Sequence, residues 1–441
     1  MSRSVSDVSI VTVNWNGRQH LETLLPSLVG LSAREIIVVD NGSSDGSQDF
    51  LARNYPSVRL VQNDTNRGFA QPNNLAAANA EGRYLALVNN DMRVAPDWLA
   101  TALERMLGSV ACVGSRILDW EGSRVDFNGG SLQYLGYGLQ RDIGALVAGL
   151  SHADRQLFAC GGAMLVDREI FQRIGGFDED FFAIYEDVDF GWRLWLAGYE
   201  VAFAPDSVAF HKGHGTFKAH SSEKMRYLMH RNALLTILKN YEEETFRRVL
   251  PLAVLLTIKR AVRFSGVERE RFYLWARAES RLEDAGSASH SQIMDALNQL
   301  IALDDVLSNL PRLLEKRSVV QAFRVRPDKE IFTHFSDPFR TIVEDSEYLN
   351  TERDLLETLD LTRLFQPLTC PPKRPDMAPA LRETIDLLRQ ELRGLEWRQA
   401  DAARRPPRAH GGLAGRLLDA WTRRKVSAAW RRFLERVNRG I

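Results

Sequence analysis

The chain has 441 residues, of which 44% are hydrophobic and 26% are charged. These values are typical of a soluble globular protein, and the length predicts two or three domains. Lys and Arg together number 57, as do Asp and Glu, so the formal net charge is zero. A neutral chain is not typical of proteins that bind nucleic acid or strongly acidic partners, and we expect neither here.

Three cysteines, Cys112, Cys160 and Cys370, lie far apart in the sequence. Their number and spacing match neither a disulfide framework nor a zinc site, so we expect a reducing, cytoplasmic setting. The apolar run near the N-terminus is too short for a signal peptide. The longest apolar run elsewhere, Val249 to Thr257, is too short to cross a bilayer.

Short β-branched segments alternate with helical segments in the first hundred residues. The predicted strands are Val8–Val13, Glu35–Asp40, Arg59–Gln62 and Tyr84–Asn89. The predicted helices between them are His20–Leu31, Ser47–Asn54 and Gln71–Glu81. This alternation is typical of βαβ units, and it predicts an α/β fold with a mostly parallel sheet flanked by helices.

Strand signals almost disappear after about Tyr241, and helical periodicity takes over. We therefore predict three regions: a catalytic domain over residues 1–245, a helical domain over 246–365, and a linker with basic amphipathic helices over 366–441. A strand predicted over Glu200–Ala204 is expected to lead into a polar loop rich in His and Gly.

Polar residues follow all four predicted strands, which is where ligands bind in open α/β sheets. They are Asn14 and its neighbours, Asp40 with Asn41, the Asn66–Gly68 segment, and Asn89 to Asp91. Such residues also favour turns, but four polar strand ends on one edge indicate a binding site. The chain has neither the Gly-rich fingerprint of dinucleotide-binding oxidoreductases nor a P-loop, which argues against both classes.

The motifs resemble those of the inverting family 2 glycosyltransferases, and above all their bacterial rhamnosyltransferase-like branch. The matching segments, which fall within residues 6 to 240, are VTVNWNG (11–17), VVDNGSSDGS (38–47), NRGFAQPNN (66–74), LVNNDMRV (87–94), GGFDEDFFAIYEDVDFGWR (175–193) and AFHKGHGTF (209–217). The resemblance implies the GT-A fold. It also implies sugar transfer from a nucleotide-sugar, either dTDP-rhamnose or a UDP-sugar, to a hydroxyl of a growing bacterial surface glycan.

The resemblance places the donor near the polar strand ends and implies that Asp40 contacts the nucleotide. Without it, Asp40 could equally cap the following helix. The donor-binding residues that the resemblance implies are Asn14, Asp40, Asn41, Asn66, Arg67, Gly68, Asn74, Asn89 and Asn90. Arg231 and Asn232 resemble a pair found in relatives, and a phosphate contact and a structural role are both open for them.

Asn89, Asn90 and Asp91 occupy the place of the family's D-x-D element, with Asn89 where the first Asp is expected. The resemblance implies that Asp91 and His211 bind a divalent ion, Mg²⁺ or Mn²⁺, for which oxygen and imidazole are suitable ligands. A simple Asp-containing turn is the alternative. Because Asn89 is uncharged, metal binding is expected to be weakened.

Glu186 and Asp187 resemble the family's acidic pair at the start of the acceptor-side helix. Direct displacement at an anomeric carbon needs a base for the acceptor hydroxyl, and we assign that role to Asp187. Glu186 then contacts the acceptor or supports Asp187. We expect the helix N-terminus to keep the base ionised. Helix-terminal charges without catalytic function are the alternative. Asp189 is expected to pair with Arg193.

The second half of the chain contains no recognised motif. It is expected to bind the acceptor, which is a glycan or a lipid-linked glycan, to form homo-oligomers, or to contact the inner face of the cytoplasmic membrane. Basic amphipathic segments at Leu250–Phe264 and Leu413–Arg439 suit peripheral membrane contact. Helices docked by an apolar stripe are the alternative. Two alternative functions are a catalytically inactive sugar-binding scaffold and a nucleotidyltransferase.

Overall fold

A mixed sheet of nine strands carries the first half of the chain. The computed structural model describes residues 3–213, 222–265 and 290–365. Its strands are β1 (Val8–Asn14), β2 (Glu35–Asn41), β3 (Arg59–Asn63), β4 (Tyr84–Val88), β5 (Met92–Val94), β6 (Val110–Asp119), β7 (Val125–Phe127), β8 (Gly130–Leu132), β9 (Gly138–Gln140), β10 (Ala163–Asp167) and β11 (Glu200–His211). Strands β8 and β9 form a separate two-stranded sheet.

Four strands at one side of the sheet, in the order β3-β2-β1-β4, pair in parallel. The centres of β1, β2 and β4 are mostly apolar and buried, as expected for strands that are covered on both faces, whereas the edge strand β3 is partly exposed. The register sets Asn14 beside Asp40, and Asn41 beside Asn63. This part of the predicted sheet is confirmed, and the register brings the polar strand ends together.

The other side of the sheet is mixed. Strand β10 lies antiparallel between β4 and β6, β11 runs parallel to β6, and β5 is antiparallel to β11 at the edge. The α/β class is confirmed, although the parallel arrangement is limited to part of the sheet. Strand β11 also continues past its predicted end at Ala204 to His211, because a bulge accommodates Pro205 and Asp206.

Helices cover the sheet and make up most of the described residues after Tyr241. They are α1 (Arg18–Val29), α2 (Ser47–Asn54), α3 (Ala70–Asn79), α4 (Trp98–Glu104), α5 (Arg168–Arg173), α6 (Glu186–Leu196), α7 (Ser222–Asn240), α8 (Glu243–Phe264), α9 (His290–Ser308), α10 (Leu310–Ala322), α11 (Asp328–Ile331) and α12 (Ser346–Thr358). Within the compact unit that ends at Cys370, α7 packs against α6, α8, α9 and α10.

The predicted boundary between residues 245 and 246 falls within α8, close to its start. Helices on both sides of this boundary share one core, in which the ring of Trp192 meets those of Tyr241 and Phe335. The Tyr241 hydroxyl also donates to the carbonyl of Tyr134 at 2.8 Å. The predicted domains stay predictions, and the region 366–441 lies outside the described residues.

Basic residues of α8 make contacts within the protein. Lys259 bonds Glu347, Arg263 bonds Asp345, and Arg260 is buried with hydrogen bonds to tyrosine hydroxyls. These three basic side chains are therefore paired within the protein, and the predicted membrane contact of this segment stays a prediction. The other segment predicted to contact a membrane, Leu413–Arg439, lies outside the described residues. In the part of the chain that the structure describes, no helix combines the length and apolarity needed to cross a bilayer.

Arg193 forms a buried ion pair within α6 and also fastens this helix to the preceding loop. Arg193 Nε lies 2.8 Å from Asp189 Oδ2, which confirms the predicted pair. The same guanidinium donates to the carbonyls of Ile174 and Gly176, and Lys239 Nζ lies 2.9 Å from the other oxygen of Asp189. Arg193 and Lys239 hold the pKa of Asp189 below its usual value, although burial raises it.

Arg193→Met should lower the free energy of unfolding by about 3 kcal/mol or more, because it leaves a buried carboxylate without its main partner. Arg53→Met is the matched control, since Arg53 also pairs with an Asp four residues earlier on a helix, but with both side chains 80% exposed. The free energy of unfolding of the Arg53→Met variant should not differ measurably from that of the wild type. Urea denaturation measures both, and equal effects would contradict this account.

Candidate active site

The side chain of Asn14 links three strand ends. Its Nδ2 donates to Asp40 Oδ1 at 3.1 Å and lies 3.3 Å from Ser43 Oγ. Its Oδ1 accepts a hydrogen bond from Asn90 Nδ2 at 3.0 Å. Asn14, Asp40 and Asn90 are all buried, and these hydrogen bonds satisfy part of the bonding capacity of their amide and carboxylate groups.

Asp40 is fully buried at the end of β2. Besides the bond from Asn14, it accepts hydrogen bonds from the backbone N–H of Ser43 at 3.0 Å and from Gln48 Nε2 at 2.7 Å. Asp40 therefore fixes the loop between β2 and α2. Its predicted contact with a nucleotide stays a prediction. Gln48 was not singled out from the sequence, where it reads as an ordinary helix residue.

Asn41 organises the segment after β3. Its Nδ2 donates to the carbonyl of Gly68 at 2.8 Å and to Asn66 Oδ1 at 3.2 Å. Gly68 has a φ of +82°, and a Cβ added there would lie 2.3 Å from the carbonyl oxygen of Phe182. Only glycine suits this position. The side chain of Arg67 is exposed beside it.

Asn74 uses both ends of its side chain within the protein. Its Nδ2 donates to the carbonyl of Phe177 at 2.8 Å, and its Oδ1 accepts from the N–H of the same residue at 2.9 Å. It therefore joins α3 to the loop before α6. The structure does not place this amide among the contacts of Asn14, and its donor-binding role stays a prediction.

Asp91 and His211 are adjacent because β5 and β11 pair, with His211 opposite Met92. His211 Nε2 lies 3.3 Å from Asp91 Oδ2, and His211 Nδ1 lies 2.5 Å from Asp126 Oδ2. Burial lowers the pKa of His211, but its contacts with the two carboxylates outweigh burial and raise that pKa to about 10. Asp126 was not predicted, since it is one acidic residue in a short strand far from the motifs.

The residues at this position suit a divalent ion. Asp91 Oδ1 is buried and has no hydrogen-bond partner among the described residues. It is a hard anionic oxygen next to an imidazole, and both are ligand types of Mn²⁺ and Mg²⁺ sites. Because a ligating imidazole must be neutral, binding of the ion would displace the proton that the two carboxylates keep on His211. Across residues 3–213, 222–265 and 290–365, no group of three or more His, Cys, Asp or Glu side chains forms a metal site. Further ligands would have to be oxygens from a substrate or from water.

Asp187 is held by two backbone N–H groups. Its Oδ2 accepts from Gly161 at 2.9 Å, and its Oδ1 accepts from Val188 at 2.8 Å. Burial raises the pKa of Asp187 to about 6, against the opposing effect of these hydrogen bonds. A group with this pKa is mostly ionised at neutral pH, and it can accept a proton there.

Glu186 is buried, and its Oε2 has no hydrogen-bond partner among the described residues. Burial, together with the charge of Asp187, raises the pKa of Glu186 well above its ordinary value. The expectation that the helix N-terminus keeps the base ionised concerned Asp187, and the neighbouring Glu186 is shifted towards its protonated form. Burial of an unpaired carboxylate outweighs the favourable field of the helix.

The dipeptide Gly161–Gly162 connects the two acidic sites. The N–H of Gly161 contacts Asp187, while the carbonyl of Gly162 accepts from the backbone N–H of Asn89 at 2.9 Å. A Cβ at Gly162 would lie 3.1 Å from Asn89 Nδ2, and one at Gly161 would lie 3.0 Å from the ring of Phe69. The sequence reasoning missed this dipeptide, whose only signal is a Gly-Gly pair before a strand.

Glu186→Gln should stabilise the protein at pH 8 and have little effect at pH 4. Because the folded-state pKa of Glu186 is raised, its contribution to stability is present below the unfolded pKa and is lost as pH rises. Glutamine mimics the protonated form at every pH. Thermal unfolding at both pH values measures this difference.

Glu104→Gln is the control, since Glu104 is exposed near the end of α4. It should give the same small difference at pH 4 and pH 8. If the Glu186→Gln variant shows no pH-dependent gain over the wild type, Glu186 is not a buried, unpaired carboxyl group.

Two protein-family models together match the part of the chain that contains the candidate site. The family model for "Glycosyl transferase family 2" matches residues 9–175, and the model for "N-terminal domain of galactosyltransferase" matches residues 150–216. The first match includes Asn14, Asp40 and Asp91, and the second includes Asp187 and His211.

Two bacterial proteins are similar to this chain in sequence. An N-acetylglucosaminyl-diphospho-decaprenol L-rhamnosyltransferase of Mycobacterium tuberculosis is 30% identical over 248 residues, which are 47% of this chain and 76% of that protein. The O-antigen biosynthesis protein RfbC of Myxococcus xanthus is 29% identical over 223 residues, which cover 47% of this chain but only 17% of that protein.

A solved structure is also similar. The crystal structure of GalNAc-T7 with UDP, GalNAc and Mn²⁺ matches with a TM-score of 0.44 and 16% sequence identity. The match covers 70% of this chain and 58% of the other.

Proposed function

The chain belongs to glycosyltransferase family 2, and from this premise we propose that it is an inverting enzyme in which Asp187 is the general base. Glycosyltransferase activity and the GT-A fold come with the family. The direct displacement, the donor, the acceptor and the metal are our proposals.

One observation carries this proposal: the hydrogen bonds from Gly161 and Val188 that hold Asp187. Gly162, the next residue, bonds Asn89 in the turn that leads to Asp91. The base and the diphosphate end of the donor would therefore share one rigid backbone link. A base fixed in this way can face an acceptor hydroxyl above the anomeric carbon.

In the proposed reaction, the acceptor oxygen attacks the anomeric carbon as its proton passes to an oxygen of Asp187. The bond from that carbon to the diphosphate oxygen breaks on the opposite side, so the configuration inverts. The nucleoside diphosphate leaves with the bonding electron pair. The pKa of about 6 supports Asp187 as a base that is ionised at neutral pH and still able to accept the proton.

We propose dTDP-rhamnose as donor, with a UDP-sugar as the alternative, and a bacterial surface glycan as acceptor. The name of the Mycobacterium tuberculosis relative supports rhamnose and a lipid-linked acceptor, and that of RfbC supports a surface polysaccharide. The amides at the ends of β1, β2 and β4 would surround the nucleotide and diphosphate. Asn14, Asn41 and Asn90 are already ordered there by hydrogen bonds.

Asp91 and His211 would hold the divalent ion. Such an ion would neutralise charge on the departing diphosphate. Asp126 accepts the other ring N–H of His211 and so presents Nε2 toward Asp91. Asn89 leaves Asp91 as the single carboxylate of the three-residue element, so its unpaired Oδ1 is the main anionic ligand that this element offers.

Asp187→Asn should lower kcat by about 10²–10⁴-fold, because general base catalysis contributes that much. Nucleotide binding should survive, since Asp187 lies on the acceptor side. Release of nucleoside diphosphate from dTDP-rhamnose or a UDP-sugar measures kcat, and calorimetry measures binding. Glu186→Gln, which mimics a protonated neighbour, should keep most of the activity.

Near wild-type turnover by Asp187→Asn would remove Asp187 as the base. If the wild type releases no nucleoside diphosphate from any donor in the panel, the inactive sugar-binding scaffold is supported instead.

Asp91→Asn should abolish high-affinity Mn²⁺ binding measured with bound nucleoside diphosphate. Asp126→Asn should weaken it by roughly 10–100-fold, the usual effect of removing a residue that orients a ligand. Asp206→Asn is the control, because Asp206 is an exposed carboxylate on the same strand as His211. Unchanged Mn²⁺ affinity in Asp91→Asn would contradict the proposed metal site.

A further inference from the structure

The turn that leads into α6, the helix that begins with Glu186 and Asp187, has an unusual backbone. Phe182, Ile184 and Tyr185 have φ values of 61°, 68° and 67°, and Glu186 follows at once as the first residue of α6. Left-handed φ is unfavourable for residues with a Cβ, and most of all for a β-branched residue such as Ile184. Such a backbone persists only where surrounding contacts hold it.

The side chain of Asn232, on α7, holds this turn on one side. Asn232 Nδ2 lies 3.0 Å from the carbonyl oxygen of Phe181, 2.9 Å from that of Ala183 and 2.6 Å from that of Ile184, so its two N–H groups are shared among the three carbonyls. Asn232 is fully buried, and its Oδ1 accepts from Arg231 Nε at 3.1 Å. The amide group therefore binds three carbonyls of the turn at one point.

On its other side, the turn contacts residues 68–70, which lead into α3. The carbonyl of Phe182 accepts hydrogen bonds from the N–H groups of Phe69 at 2.6 Å and Ala70 at 3.2 Å. Gly68 gives this carbonyl the room that it needs. The turn is thus clamped between the side chain of Asn232 and the start of α3.

The segments that flank the turn have anchors of their own. Before it, Asp178 lies 2.6 Å from both Lys239 Nζ and Lys316 Nζ. After it, Asp189 is paired with Arg193 in the core. Loss of the Asn232 amide should therefore loosen the turn locally, while the loop before it and the helix after it remain in place.

We propose that Asn232 is a positioning residue for Asp187. By binding three carbonyls, it fixes the left-handed turn that sets where α6 begins, and with it the position of Asp187 against Gly161. This inference rests on the proposed function of Asp187 as the base. It means that α7 helps to set the geometry of the reaction. It also assigns Asn232 a positioning role in place of a phosphate contact.

The test compares Asn232→Asp, Asn232→Ser and Asn232→Ala in the full chain. Asn232→Asp has the same shape but places a second oxygen against three carbonyl oxygens, whereas Asn232→Ser keeps one donor. Release of nucleoside diphosphate from the sugar donor that the wild type turns over gives kcat. Calorimetry with nucleoside diphosphate and Mn²⁺ gives binding, and thermal unfolding checks the fold.

We expect kcat to fall at least 100-fold in Asn232→Asp and Asn232→Ala, with Asn232→Ser between them and the wild type. Nucleoside diphosphate affinity should stay within threefold. The acidic midpoint of the kcat/KM–pH profile should fall in Asn232→Ala, because a loosened Asp187 is less buried. A purely structural residue would not move this midpoint. Thr236→Val, a buried change one turn along α7, should keep near wild-type kcat.

The inference is overturned if folded Asn232→Ala and Asn232→Ser keep kcat within threefold of the wild type, or if the pH midpoint does not move. If Asn232→Asp fails to fold, the comparison of Ser with Ala decides: equal loss in both overturns it. The failure of the proposed function is distinguishable, because an active Asp187→Asn variant removes the base itself. An inactive Asp187→Asn variant beside active Asn232 variants removes only this inference.

Discussion

Among the residues that the structure describes, no cationic side chain forms a hydrogen bond with Asp187; the N–H groups of Gly161 and Val188 hold it in place. Backbone donors fix its position without neutralising its charge, and burial can then raise its pKa to about 6. A salt bridge there would instead lower the pKa and weaken the base. Asp189, two residues later, shows this opposite arrangement, because it forms salt bridges with Arg193 and Lys239.

Much of the surrounding structure serves to hold this one carboxylate. The sheet places Gly161 beside it through β10, and Gly162 joins it to Asn89 at the end of β4. Helices α7 and α10 grip the loop before α6 through ion pairs to Asp178 and through Asn232. These two helices are therefore part of the support of the candidate site.

The sequence was sufficient for the parallel half of the sheet, because its strands are short, mostly β-branched or apolar segments that polar residues follow. It also singled out Asp91, Asp187 and His211, because their motifs are local, and the roles of these three residues stay predictions. It could not show Asp126 or the Gly161–Gly162 link, since both depend on the order of strands β6, β10 and β11. The high pKa of Glu186 was likewise hidden, because it arises from burial by residues distant in sequence.

The account requires the donor to lie at the ends of β1, β2 and β4 with its anomeric carbon facing residue 187. A crystal structure of the Asp187→Asn variant with Mn²⁺ and an intact nucleotide-sugar tests this directly. We predict an anomalous signal for manganese beside Asp91 Oδ1 and His211 Nε2, and the sugar between it and the start of α6. A nucleotide-sugar bound elsewhere, or with its anomeric carbon turned away from residue 187, would contradict the account.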